Sequence, residues 1–151
     1  MILVRISTLA ASADAVWDAV ESTTTFAYVA GPLLRFPAAE LAEARWLPGM
    51  ELEDRVLLLG FIPLGRHRIR IESADRATRR LQTREAGGLV RAWDHEIRVE
   101  AIDDGSCRYS DRLEIEAGAL TPVVGVFAWL LFRYRHYRWR RLVTSLSDAA
   151  T

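Results

Sequence analysis

The chain has 151 residues, of which 50% are hydrophobic and 26% charged, a balance that excludes a disordered or fibrous chain and suits one domain with a buried core, read here as residues 1–151. Acidic and basic residues are equal at 20 each, so no global positive field exists to gather nucleic acid. The one cysteine, Cys107, excludes an internal disulfide and makes the cytoplasm the expected compartment.

The first residues, MILVRISTLAASADA, carry small side chains near a point where a signal peptide could be cleaved. No base precedes the apolar stretch and Arg5 interrupts it, so the segment is read as mature structure. Residues 2–9 alternate and are rich in β-branched types, which predicts a strand. Ser12 then reads as an N-cap, and ADAVWDAV puts Val16, Trp17 and Val20 on one helical face. A second, poorer helix is expected over Thr25 to Ala30, ended by Gly31 and Pro32. Residues 33–50 read as a loop with a helical turn, stopped by Pro48 and Gly49.

The period then changes to two. ELEDRVLLLG predicts a strand, FIPLG a turn and RHRIRIESA the next strand; RRLQTRE follows and ends at Gly87 and Gly88. LVRAWDHEIRVEA and CRYSDRLEIEA are long strands joined by the hairpin turn DDGS. Short hairpin connections imply an antiparallel sheet. Alternation assigns the faces. Leu89, Arg91, Trp93, His95, Ile97 and Val99 share one face of their strand, while Asp94, Glu96, Arg98 and Glu100 on the other are plainly for solvent. The same reading sends Cys107, Tyr109, Asp111, Leu113 and Ile115 inward, together with His67, Ile69 and Ile71, and Leu81, Thr83 and Glu85.

Thr121 and Pro122 open the last helix, with Thr121 read as N-cap and Pro122 at the first helical position. No breaker follows from Val126 to about Ser147, which predicts a helix of roughly 25 residues, about 37 Å long. Its apolar run, Val123 to Phe132, is ten residues, well short of the about 20 that a membrane span needs, so no transmembrane segment is expected. At 100° per residue Leu120, Val124, Leu131, Leu142 and Leu146 fall on one stripe, with Phe127 at its margin, and that stripe is expected to face the sheet. Arg135 and Arg138 lie on the same stripe and are expected to place their heads on an inward carboxylate, Asp111 or Glu85; Arg133 and Arg140 should be solvated. Trp129, Phe132 and His136 fall largely opposite, where surplus aromatics suggest a partner surface.

A strand, short helices, a run of antiparallel strands and a long last helix together resemble the START-like superfamily, also called SRPBCC or helix-grip, which includes Bet v 1-like proteins and polyketide cyclases. The segments STLAASADAVWDAV, GFIPLGRHRIRIE, LVRAWDHEIRVEAIDDGSCRYSDRLEIEAGALTP and FRYRHYRWRRL carry the likeness, which spans nearly the whole chain. The resemblance implies an α+β fold in which a curved antiparallel sheet wraps around the C-terminal helix, with a cavity between them for an apolar small molecule or lipid. Family activities run from carriers to cyclases, so the fold does not select the function.

Six polar residues sit on the inward faces: His67, Glu85, Arg91, His95, Tyr109 and Asp111. A dry core charges several kcal/mol for such groups unless they are paired, so either they pair with one another or they line a cavity. The expected ligand-binding set is these six with Trp93, Leu131 and Arg135. The leading reading is non-covalent binding of a small apolar molecule such as a lipid, quinone, sterol-like compound or polyketide. A second is a cyclase- or dehydratase-type enzyme with His95 as acid or base and Asp111 as its orienter. A third is a homodimer through Trp129, Phe132 and His136. No cofactor is implied, and no Cys and His cluster has metal-ligand spacing.

Overall fold

The computed structural model describes residues 1–149. Strand β1 (Ile2–Leu9) is followed by helices α1 (Ala13–Val20) and α2 (Thr23–Ala30), the two-residue strand β2 (Leu34–Arg35) and the short helix α3 (Pro37–Ala42). Strands β3 (Glu51–Leu58), β4 (Ile62–Asp75), β5 (Arg80–Gly87), β6 (Ala92–Asp103) and β7 (Ser106–Glu116) come next. A 3-10 turn at Gly118–Leu120 leads into α4 (Thr121–Ala149). All seven strands form one antiparallel sheet in the order β1-β7-β6-β5-β4-β3-β2. Register shifts at Val56/Leu57, Ile71/Ser73 and Ala101/Asp103 insert bulges, and bulges bend and twist a strand, which lets the sheet curl. The α+β helix-grip arrangement is therefore present: a curled sheet around a long C-terminal helix.

Local chemistry accounts for most boundaries. Ser12 caps α1, its hydroxyl accepting from the Ala15 amide at 3.1 Å, and Val16, Trp17 and Val20 are buried as their spacing requires. Ser22 caps α2 in the same way, so that helix starts at Thr23 rather than Thr25. Asp54 on β3 receives the Ala38 and Ala39 amides at 3.0 Å each, supplying the N-terminal hydrogen bonds that Phe36 cannot give α3. The expected turn at FIPLG is shorter: Leu59 and Gly60 both have positive φ (54° and 84°) and turn the chain at once, so β4 begins at Ile62. Thr121 is already helical (φ −51°, ψ −43°) because the 3-10 turn runs straight into α4. It is not an N-cap. Its hydroxyl donates to the Gly118 carbonyl at 2.7 Å and accepts from the Ala117 amide at 3.0 Å.

The largest correction concerns the rotation of α4. Its buried face is Ala128, Leu131, Phe132, Arg135, His136, Trp139 and Val143; of the expected stripe Leu131 is buried, Val124, Phe127, Leu142 and Leu146 pack partly covered at its margin, and Leu120 is exposed. Counting only aliphatic residues displaced the expected stripe. The side chains that fill the centre are the aromatics: Trp139 packs on Tyr109 at 4.9 Å between ring centroids, and Phe132 on Trp93 at 6.1 Å. Phe132 and His136 therefore leave the proposed partner surface, and only Trp129 of that trio is exposed. Arg138 does not reach a carboxylate. It donates to the Tyr28 carbonyl at 3.1 and 3.0 Å and lies 3.8 Å over the Tyr28 ring, tying α4 to α2. Arg133 is exposed, stacked over Trp129. Among the described residues no helix is long and apolar enough to cross a membrane.

The rotation is checked by two tryptophans on one helix. Trp139 is 2% exposed and Trp129 48%. Trp139→Ala should cost about 3–5 kcal/mol in chemical denaturation. Trp129→Ala should stay within about 0.5 kcal/mol. Equal costs would mean that the helix is turned otherwise.

Candidate functional site

Between the curled sheet and the first half of α4 lies a cavity of ≈ 250 Å³. Its walls are apolar and come from four regions: Phe26 and Ala30 of α2, Leu34, Phe36, Val56 and Leu58 around β2 and β3, Trp93 of β6, and Val124, Phe127, Leu131 and Phe132 of α4. Leu64, Leu89 and Val123 line it and are exposed, so they mark its mouth. Gly87 stands at the same rim with φ +150°, and a Cβ there would meet the Arg66 carbonyl oxygen at 2.1 Å. Only glycine allows β4 and β5 to close on each other at this point.

The polar groups gather at the inner end. His67, Glu85, His95 and Arg135 line the cavity there. Glu85, His95 and Arg135 are buried in the protein and also line a second, smaller cavity of ≈ 20 Å³ deeper in the core. His67 and Glu85 face inward from neighbouring strands, and His67 Nε2 meets Glu85 Oε2 at 2.8 Å. The Thr83 hydroxyl donates to Glu85 Oε1 at 2.6 Å. Burial pushes the Glu85 carboxyl up, but His67, His95 and Thr83 together outweigh it and hold it below the usual carboxylate range.

Beneath the cavity floor Asp111 of β7 gathers three donors. His95 Nε2 on β6 approaches Oδ1 at 2.5 Å, the Tyr109 hydroxyl donates to the same oxygen at 3.2 Å, and His136 Nε2 on α4 approaches Oδ2 at 2.9 Å. Asp111 is 1% exposed. Burial alone would raise its pKa, yet the charges of His95 and Arg135 and the two imidazole hydrogen bonds outweigh burial and hold it well below the usual range. Tyr109 is driven the other way, first by burial and then by the Asp111 charge beside it, so it stays a neutral donor. An ionised carboxylate only accepts, so both imidazoles carry their proton on Nε2. His136 Nδ1 then meets the Ser7 hydroxyl of β1 at 2.7 Å, and Arg140 reaches that hydroxyl at 3.4 Å. His95 Nδ1 has no protein partner among the described residues and belongs to a side chain on the cavity wall.

The nine residues expected to bind ligand divide as follows. His67, Glu85, Trp93, His95, Leu131 and Arg135 line the cavity. Tyr109 and Asp111 do not; they point inward as alternation requires, but the rings of Trp139 and His136 cover them. Arg91 is a correction of another kind. It precedes β6, in a bend where alternation no longer holds, and is exposed, with its guanidinium beside Gly118. Sequence reasoning missed His136 and Ser7 as partners of the Asp111 cluster. The signal for His136 was present: Phe132, His136, Trp139 and Val143 recur at helical spacing. Nothing local marked Ser7, which meets the cluster only through the pairing of β1 with β7. Among the described residues no group of three or more His, Cys, Asp or Glu side chains is placed to hold a metal ion.

Residues 7–143 match a family described as a domain of unknown function, DUF8410. No curated protein sequence matches. Among solved structures, a START superfamily protein from Mycobacterium smegmatis superposes with a TM-score of 0.72 at 13% identity, covering 96% of this chain and 98% of that one. Norcoclaurine synthase from Thalictrum flavum, solved with dopamine and hydroxybenzaldehyde, gives 0.68 at 15% identity, over 96% and 87% of the two chains. The Zhui aromatase/cyclase from Streptomyces sp. R1128 gives 0.62 at 16% identity, over 98% and 93%. At these identities the likeness establishes the START-like fold.

Asp111→Asn replaces an acceptor with a donor facing an imidazole N–H. It should cost about 3–5 kcal/mol near neutral pH, as does removal of one member of a buried pair. Because the native pKa of Asp111 is depressed, its contribution is complete above the unfolded value of about 3.9 and drains as pH falls from there toward the lower native value. Denaturation midpoints across acid pH should therefore fall less steeply in Asp111→Asn than in the parent. Glu85 keeps some slope in both proteins.

Proposed function

Since the chain belongs to the DUF8410 family, whose function is unknown, we propose from its own site that it binds a small, mainly apolar molecule non-covalently between the sheet and α4. The observation that carries this reading is the ≈ 250 Å³ cavity: apolar walls, a rim of exposed apolar side chains, and polar groups confined to the inner end. That is the composition of a ligand pocket, at the small end of the usual range. An apolar ligand gains roughly 25 cal/mol for each Å² it removes from water, and the inner groups set its direction. The solved fold neighbours are compatible with this reading, one of them holding dopamine and hydroxybenzaldehyde. Every strand and helix packs around the one core that carries the cavity, which supports a single binding domain. The buried, unpaired thiol of Cys107 suits a reducing compartment, and we place the protein in the cytoplasm.

A second reading follows from one specific arrangement. His95 gives Nε2 to a buried carboxylate and leaves Nδ1 unpartnered at the cavity floor. In its neutral form that nitrogen is a lone-pair acceptor, oriented as a general base requires. A bound molecule with an acidic C–H or O–H at the floor could pass its proton to Nδ1, with Asp111 stabilising the imidazolium. This supports cyclisation or dehydration by acid–base catalysis. Among the described residues no Ser or Cys nucleophile lines the cavity, so the reading does not extend to acyl transfer.

A neutral environment-sensitive dye such as Nile red should bind with a stoichiometry of about one per chain. Trp93→Ala, on the cavity wall, should change that binding several-fold, whereas Glu100→Ala, exposed on the opposite face of the same strand, should leave it unaltered. Equal effects, or no dye uptake, would remove the cavity as a binding site. His95→Gln separates the two readings: a carrier keeps ligand affinity within a few fold, while an acid–base catalyst loses about 10²–10⁴ in turnover and still binds.

A further inference from the structure

The charges at the inner end of the cavity are not equivalently satisfied. Four carboxylate oxygens are present, and each already accepts from another group. Glu85 Oε1 takes the Thr83 hydroxyl and Oε2 takes His67. Asp111 Oδ1 takes His95 and Tyr109, and Oδ2 takes His136. Arg135 comes within 4.0 Å of neither acid, and among the described residues it has no ion-pair partner. Its Nε–H is buried with no acceptor, its guanidinium lies 5.0 Å from the centre of the Phe132 ring, and its side chain is 5% exposed on the cavity wall. The charges of Asp111 and Glu85 act on the guanidinium from a distance and Tyr109 hydrogen-bonds to it, yet among the described residues no carboxylate pairs with it directly. A guanidinium has five N–H donors and cannot lose its charge, so one that faces an apolar chamber with donors to spare is a site for a further anion.

We propose that the cavity takes a compact apolar monocarboxylate, inserted body-outward, whose carboxylate pairs with Arg135 at the inner end. This deepens the ligand-binding reading and rests on it. The apolar walls accept an alkyl chain or an aromatic ring system, and the planar donor fork of arginine matches the two oxygens of a carboxylate. His95, whose Nδ1 is also unpartnered on the same wall, supplies a second donor to the anion when it is protonated. The opposite choice, an amine directed at Glu85, is disfavoured because both Glu85 oxygens are already engaged. A neutral ligand leaves the cation without a directly paired anion.

Three probes that share one body decide the matter: naphthylacetate, naphthylacetamide and naphthylethylamine, each titrated calorimetrically and by displacement of Nile red. The acid should bind at least about tenfold more tightly than the amide, the margin expected of a charged hydrogen-bonded pair, and the amine more weakly than either. Arg135→Gln should erase the preference for the acid while amide affinity stays within a few fold. Arg133→Gln, exposed on the outer face of the same helix, should keep the preference intact. If Arg135→Gln does not fold, the acid and amide comparison in the unaltered protein decides alone. Dye and amide binding with no advantage for the acid, an advantage for the amine, or a preference that survives Arg135→Gln each overturns the proposal and leaves the cavity reading standing. Failure of the dye and every probe to bind overturns both.

Discussion

The buried carboxylate of Asp111 is the point on which the rest of the architecture turns. It sits on β7, one strand in from the edge strand β1, and ties β6 through His95 and α4 through His136. Ser7 of β1 extends the chain of contacts across the adjacent strand. A charge this far from water is tolerated only when its oxygens are hydrogen-bonded, and here three donors engage both of them. Such a cluster adds less net stability than its hydrogen bonds suggest, because desolvation offsets most of the gain. Its stronger effect is on uniqueness. A rotation of α4 that withdrew His136 would leave Asp111 Oδ2 without its donor, and that penalty disfavours other rotations of the helix.

That rotation in turn shapes the cavity. With Phe132, His136 and Trp139 directed at β6 and β7, the second half of α4 is packed tightly on the sheet by aromatic contacts. The first half contributes Val124, Phe127 and Leu131 to one wall of an open chamber. Strands β2 to β6 and helix α2 supply the other walls. Arg135 lies at the join between the packed half and the open half. The same helix thus closes the core at one end and forms a cavity wall at the other, with the change falling within about one turn around Arg135.

Strand faces were legible from period two alone: His67, Glu85, Trp93, His95, Tyr109 and Asp111 all point inward, each with at least one charged neighbour turned outward. The same rule failed at Arg91, where the chain bends before the strand begins and neighbouring side chains no longer alternate. It also could not tell the cavity wall from the core beneath it. Tyr109 and Asp111 share a face with Leu113, but what covers them comes from α4, far away in sequence. Helix period was legible too, yet the phase was misjudged by weighting Leu and Val above Trp139, Phe132 and His136.

What the sequence determined by itself was therefore the order and type of the elements, the antiparallel sheet, the inward polar set and the START-like resemblance. Each of these depends on alternation, spacing and turn chemistry between residues near one another in the chain. The tertiary structure alone decided which buried acid met which imidazole, how α4 is rotated, and that Arg135 faces the chamber without a carboxylate partner. Those outcomes come from a competition among groups far apart in the chain, such as Ser7 and His136, 129 residues from each other. Donors and acceptors are assigned there by the geometry of all the partners together, which no local pattern encodes.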